Sequence, residues 1–266
     1  MTAPAVRATA LVTGASTGIG RELARLLAAD GYSLALVARD AAKLEELARE
    51  IDTAHGSRTA VFPRDLAEEG GAAALLADAA KQGLSIDVLV NNAGAGVYGP
   101  FASTDLDREL ATIRLNVVAL TALTKGVLPD MLRRGSGRIL NVASTAAFQP
   151  GPLMAVYYAT KAYVLSFSEA IANEVAGTGV TVTALCPGPT ATEFQKAAGF
   201  ARARLFPGPL VMDARSVARA GYDGMRRGRR VVIPGLANRL MVQALRISPR
   251  RLVTAVAGRI QKSRGE

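Results

Sequence analysis

Seven short β-branched and aliphatic runs, separated by stretches long enough for helices, constrain the fold of this chain more than any other feature. The runs are Thr9 to Thr13, Leu34 to Ala38, Thr59 to Phe62, Val88 to Asn91, Arg138 to Val142, Val180 to Leu185 and Arg230 to Ile233. Between them lie helical patterns such as Ile19 to Ala29, Ala41 to Ile51 and Ala155 to Val175. Strands joined through crossover helices run parallel and the crossovers are right-handed, so the pattern predicts an α/β fold built on a doubly wound, seven-stranded parallel sheet. At 266 residues one such domain accounts for the whole chain. The reading places the body at 1–235 and treats 236–266 as a basic, amphipathic C-terminal helical extension of the same domain.

Half the residues are hydrophobic and Trp is absent, which suits helices packed closely on a buried sheet. The single cysteine, Cys186, has no partner for an internal disulfide, and no apolar signal segment precedes the first run, so a cytoplasmic location is expected. The net charge of +10 is uneven. Residues 1–199 hold 17 Lys and Arg against 19 Asp and Glu, whereas residues 200–266 hold 15 against 3. A near-neutral body with one basic end, without stacking aromatics along a basic face, argues against a nucleic-acid partner.

In such sheets ligands bind beyond the carboxyl ends of the strands, and the motifs at Gly14, Gly94, Ser144 and Gly188 each follow a strand run. TGASTGIG, Thr13 to Gly20, places Gly14, Gly18 and Gly20 between the first strand and the first helix, and Ser16, Thr17 and Ile19 complete the loop. Missing Cβ atoms allow a tight turn and close backbone approach to a pyrophosphate, which the helix N-terminus then faces. This makes the sheet a dinucleotide-binding Rossmann fold. LALVARD puts Ala38 and Arg39 where the adenosine ribose would lie. An arginine there offers a planar fork for a 2′-phosphate, which favours NADP over NAD, whereas Asp40 as a ribose ligand would favour NAD. After the third strand, Asp65 and Leu66 are candidates for the adenine edge, and Asp65 alternatively caps the next helix.

Ser144, Tyr157 and Lys161 are spaced by thirteen and four residues; NNAG (Asn91 to Gly94) and Asn116 precede them and PGPTAT (Pro187 to Thr192) follows. With TGASTGIG, this set resembles the short-chain dehydrogenase/reductase family, single-domain branch with the TGxxxGxG and YxxxK motifs, over residues 9–192. The resemblance implies an oxidoreductase that interconverts a carbonyl and an alcohol with NADP(H). It implies Asn116, Ser144, Tyr157 and Lys161 as the catalytic set, Asn116 holding a water in a proton relay and Lys161 also binding the nicotinamide ribose. Asn92, Ala93 and Gly94 are expected beside the cofactor, Pro187 and Gly188 beside the nicotinamide, and Thr190 or Thr192 on its carboxamide or the phosphates. A homodimer or homotetramer is expected.

The chemistry also follows from the residues themselves. A carbonyl that receives hydride becomes an alkoxide, so it needs a proton donor, Tyr157, and a second hydrogen bond, Ser144. A free phenol titrates near pH 10, and an ammonium one helical turn away, Lys161, is expected to lower it. Tyr158 lacks a lysine four residues on and is turned about 100° around the helix.

Residues 193–212 fall where a lid is expected. Phe194, Phe200, Leu205, Phe206 and Leu210, with Phe148, Leu153 and Met154, predict an apolar wall for a lipophilic substrate, and Ser144, Tyr157, Phe148 and Phe194 are its candidate contacts. His55 is expected in a surface loop and Cys186 at a buried strand end, and no cluster of ligands around either points to a metal. In Leu236 to Ile247, Arg239 and Arg246 are expected opposite Leu240, Met241, Ala244 and Leu245, with a similar segment after Pro249. This tail either packs on the body or a second subunit, or makes peripheral contact with an anionic membrane. Arginines are expected to interrupt every apolar run too early for a membrane span. Two other readings stay open: an NAD-linked alcohol dehydrogenase, and a cofactor-binding regulatory protein without turnover.

Overall fold

The computed structural model describes residues 8–194, 198 and 211–262 of the chain. Seven parallel strands form one sheet: β1 (Thr9–Thr13), β2 (Ser33–Ala38), β3 (Thr59–Pro63), β4 (Ile86–Asn91), β5 (Gly137–Val142), β6 (Val180–Leu185) and β9 (Val231–Val232). Their order is β3-β2-β1-β4-β5-β6-β9. The winding direction reverses between β1 and β4, so a crevice opens at the carboxyl ends of Thr13 and Asn91, where ligands bind in doubly wound sheets.

Successive side chains of each strand enter opposite layers, as the two-residue period requires. Ala10, Val12, Leu34, Leu36, Val88 and Val90 join a core with Leu23 and Leu27 of α1 (Gly18–Ala29), Leu44, Leu47 and Ile51 of α2 (Ala41–His55), and Val217, Tyr222 and Met225 of the helix Ala214–Arg226. Leu11, Ala35, Val37 and Leu89 point the other way, to Leu75 of α3 (Gly71–Lys81) and to Leu123, Val127 and Met131 of α5 (Leu120–Arg134), which continues α4 (Leu106–Ile113). Both faces are thus covered, which is why these strands read as nearly unbroken apolar runs. Beneath the crevice a buried polar chain crosses the sheet: Asn91 donates to Thr124 and Asn141, and Asn141 donates to Ser168.

The sequence misplaces several details. The last strand is two residues long, not four, and two short strands, β7 (Thr190–Ala191) and β8 (Met212–Asp213), pair separately at the two ends of the lid segment. They are too brief to leave a sequence pattern. His55 ends α2 rather than lying in a loop. The continuous helical stretch Leu106–Arg134 is long and apolar enough to cross a membrane by length and composition, contrary to the expectation that arginines break every such run. Leu123, Val127 and Met131 pack it against the sheet, so it serves here as a core helix.

The tail forms two helices, Leu236–Ile247 and Arg250–Lys262, but its buried stripe differs from the one read in the sequence. Asn238, Val242, Val253, Ala257 and Gln261 face the body, while Leu240 and Ala244 lie exposed beside Arg239 and Arg246. The first helix packs behind the turn Thr145–Phe148. The second reaches the first turn of α6 (Ala155–Glu174) and the loop after β4: Gln261 donates through Nε2 to Tyr158 Oη at 2.7 Å and accepts on its backbone carbonyl from Tyr98 Oη at 2.6 Å.

Candidate active site

The glycine loop is welded to the end of β4. Thr13 Oγ1 accepts the N–H groups of Asn92 and Ala93, each at 3.0 Å, and Asn92 Nδ2 donates to the carbonyls of Thr13 (3.0 Å) and Gly14 (3.1 Å). Gly14 has φ of 65°, and a Cβ there would lie 2.7 Å from Asn92 Nδ2. A Cβ on Gly20 would overlap the Gly14 carbonyl and the Asn92 amide. Thr17 provides no side-chain cap for α1 and no acid sits in its first turn, so the amide groups around Gly18, Ile19 and Gly20 are open to an external anion without competition from a carboxylate of that turn. Thr192 comes within 3.1 Å of where a Gly18 Cβ would be, so the start of the lid closes the same cradle. The donor set fits a dinucleotide pyrophosphate. Asn92, expected near the ribose, has its amide nitrogen engaged by the loop.

At the adenosine end, the Arg39 side chain is 79% exposed and 3.8 Å from Asp65. Asp40 caps α2, accepting the Lys43 N–H at 3.1 Å. Asp65 accepts the Ala67 N–H at 2.8 Å, and the Leu66 side chain is buried in the core, which leaves only its backbone for an adenine edge. Lys43, in the first turn of α2, carries no motif but lies 3.3 Å from Glu193, bridging this end to the lid.

Asn116, Ser144, Tyr157 and Lys161 come together beyond β4 and β5. Asn116 occupies a π-helical turn, Arg114–Ala119, a widening frequent at functional sites. Its Nδ2 donates to Ala95 O and Thr160 Oγ1, and its Oδ1 accepts from Ala95 N, all at 2.9 Å. Both amide protons are thereby committed, so Asn116 fixes the chain after NNAG, and only a further lone pair on Oδ1 remains for a water. Lys161 Nζ donates to Val142 O at 2.8 Å and sits 5.8 Å from the Tyr157 ring centre. A Cβ on Gly94 would lie 3.3 Å from Asn116 Oδ1 and 3.4 Å from Lys161 Nζ, so both groups converge on this glycine. Ser144 caps its turn by accepting from Ala146 N at 3.1 Å and points its hydroxyl at Pro187 O, 3.4 Å away.

Burial pushes the Tyr157 phenol up to about 12, while its hydrogen bond with Ser144 pulls the other way. Burial also pushes the Lys161 amine down to about 8. The expected lowering of the phenol by the ammonium is not the outcome: desolvation dominates, and the phenol stays protonated at neutral pH. Such a group is a proton donor. Cys186 is buried at a strand end, its thiol likewise raised to about 12 by burial.

The apolar wall is partly as expected. Phe194 lies over Tyr157, ring centres 5.3 Å apart, and a Cβ on Gly96 would lie 3.1 to 3.2 Å from Tyr157, Met154 and Phe194. Leu153 adopts φ of 65°, with its carbonyl held by Gly99 N at 2.9 Å. Phe148 instead packs on the small core of Leu120, Val164 and Cys186. Thr190 Oγ1 donates to Gly188 O at 3.0 Å. Phe200, Leu205, Phe206 and Leu210 lie outside the described residues. Gly96, Thr160, Asn238 and Gln261 belong to the site's surroundings without any sequence signal. Asn238 packs against Gly188, leaving no room for a side chain there, and Asn238 and Gln261 reach the site only because the tail folds back.

The sequence profile described as short chain dehydrogenase matches residues 8–202. The chain is 37% identical over 180 residues to the ketoacyl reductase HetN of Nostoc sp., covering 68% of this chain and 62% of that protein. It is 37% identical over 197 residues to the very-long-chain 3-oxoacyl-CoA reductase of Anas platyrhynchos, covering 73% and 63%. The chain therefore spans only about three fifths of the length of these relatives. Among solved structures, a short-chain dehydrogenase from Sphingobium yanoikuyae in complex with NADPH superposes with a TM-score of 0.80 at 34% identity, covering 89% of this chain and 92% of that one. The bulky-bulky ketone specific alcohol dehydrogenase from Comamonas testosteroni gives 0.75 at 31% identity, with 92% and 95% covered.

Proposed function

Because the chain belongs to the short-chain dehydrogenase family, we propose that it is an NADPH-dependent reductase of a lipophilic carbonyl compound. The observation that carries this reading is the grouping of a half-buried Tyr157, whose phenol is pushed up in pKa, and its partner Ser144 with Lys161 and Asn116, which meet at Gly94, beside an uncapped helix start. The cofactor, when bound along Gly14, Gly18, Gly20, Gly94 and Gly188, supplies the hydride. Tyr157 donates its phenolic proton to the carbonyl oxygen, and Ser144 gives that oxygen its second hydrogen bond. The Lys161 ammonium faces the phenolate that remains, and Asn116 holds the backbone against which Lys161 is aligned.

Arg39 and Lys43 at the adenosine end support NADPH, because Asp40 is committed to capping α2. The lipophilic substrate is supported by Phe194 and Met154 over Tyr157, and by relatives named for ketoacyl, 3-oxoacyl-CoA and bulky ketone substrates. A homodimer or homotetramer is supported by the exposed Leu110, Ile113, Val118 and Tyr163.

Turnover of a panel of bulky ketones, aldehydes and acyl thioesters tests the reading. NADPH is expected to support it about 10- to 150-fold more efficiently than NADH, the worth of one charge-assisted contact, and Arg39→Ala to erase most of that preference. A preference for NADH would make the enzyme NAD-linked, and binding of cofactor without turnover would make it a regulatory protein. The pH profile gives a second check. Since Lys161 titrates near 8 and carries its charge below that value, the reductive kcat/KM should hold steady below about pH 8 and fall above it. Tyr157 keeps its proton throughout this range. A profile flat to pH 10 would remove Lys161 from the role given to it.

A further inference from the structure

We propose that the outward face of the two C-terminal helices is a docking surface for an anionic lipid bilayer. Between 236 and 262 the chain has six basic residues, Arg239, Arg246, Arg250, Arg251, Arg259 and Lys262, and no acid. Among the described residues, none of the five arginines has a carboxylate within ion-pair distance, and Arg239 spends its Nε on the Ile233 carbonyl. Among these cations stand large apolar side chains turned to solvent: Leu240 is 62% exposed and Ile247 87%, with Leu236, Leu252, Val256 and Ile260 also exposed. The inward stripe is already engaged by the body through Val242, Val253, Ala257 and Gln261, so this second apolar set is not a packing face left over from folding.

Aliphatic groups mixed with unpaired cations match the boundary between acyl chains and anionic headgroups. A shallow hollow lined by Arg250, Arg251, Thr254 and Ala255 suits a headgroup phosphate. A second copy is a poor occupant, because a twofold contact would set the same five exposed arginines against themselves with no acid of these helices opposite. Nucleic acid is equally disfavoured, since 236–262 contains no aromatic residue on which a base could stack. The placement has a consequence for access. The same helix that exposes Val256 and Ile260 meets Pro152 at Gly258 and holds, through Gln261, Tyr158, whose ring touches that of Tyr157. Docking would bring the substrate side of the protein to the bilayer surface. The lipid surface stands independently of which carbonyl compound is reduced, or of whether turnover is found.

Vesicle sedimentation of the intact chain tests it, using phosphatidylserine mixed into phosphatidylcholine against phosphatidylcholine alone. The protein should pellet with the anionic vesicles at low salt, stay in solution with the neutral ones, and be largely released by about 0.5 M salt. Replacing Arg246, Arg250 and Arg251 together by Gln should weaken binding at least about 30-fold, and Leu240→Ser with Ile247→Ser and Leu252→Ser should do the same. All six side chains are exposed, so folding, read by thermal melting, should be unchanged. No pelleting with anionic vesicles at low salt, or equal pelleting with neutral ones, overturns the proposal. So does a fall in oligomer mass for either variant in lipid-free ultracentrifugation, which would assign the face to a second copy.

Discussion

Tyr157→Phe should lower kcat/KM for carbonyl reduction by at least about 1,000-fold while changing NADPH affinity little. General acid catalysis contributes about 100- to 10,000-fold, and here the acid has no substitute, because the neighbouring phenol is directed elsewhere. Tyr158 meets Gln261 of the tail at 2.7 Å, and Gly151 packs tightly on its ring, so its hydroxyl is anchored to the tail although the two rings touch edge to face. Tyr158→Phe removes one hydrogen bond to the tail and should cost less than about tenfold. Single-turnover kinetics with bound NADPH separates the chemical step from binding. Equal losses in the two variants, or near-normal turnover in Tyr157→Phe, would contradict the assignment.

Gly20→Ala should weaken NADPH binding at least about 100-fold, a penalty of about 2.7 kcal/mol. The added methyl group would overlap a backbone carbonyl, that of Gly14, together with the Asn92 amide that pins the loop. Neither can move aside cheaply, because Gly14 already sits at positive φ and Asn92 also holds Thr13. The loop must therefore shift bodily, and its amide groups leave the positions that a pyrophosphate needs. Isothermal titration with NADPH, alongside thermal melting without cofactor, reads the effect. An affinity within about threefold of wild type would show that the loop does not form the cradle.

Much of this architecture is legible in residue order. The sheet was readable because five of its six longer strands, β1, β2, β4, β5 and β6, are buried on both faces and so spell apolar runs, and because a crossover between parallel strands admits one hand. Ser144, Tyr157 and Lys161 were readable because local geometry fixes their relation: four residues make one helical turn, and Ser144 follows a strand directly. The same locality explains the failures. The predicted lowering of Tyr157 by Lys161 considered the charge and not the burial, and burial is a property of everything packed around α6. The partners of Asn116 were illegible for the same reason: Ala95 and Thr160, 21 and 44 residues away, use up its amide protons and leave an Oδ1 lone pair for a water.

The tail divides the two kinds of information most sharply. Its composition, basic and amphipathic, was present in the sequence, and so was its helical period. Which stripe faces inward was not, because a helix of Leu, Val, Ala and Arg offers several apolar arcs of similar width, and the surface it meets chooses among them. Here the body selects Asn238 and Val242, then Val253, Ala257 and Gln261, and leaves Leu240 and Ile247 outside. The sequence by itself determined the sheet, the glycine loop and the catalytic spacing, since those follow from short-range periodicity and backbone stereochemistry. Only the tertiary structure decided the protonation of Tyr157, the partners of Asn116 and the outward face of the tail, because burial and long-range contact are not properties of any one segment.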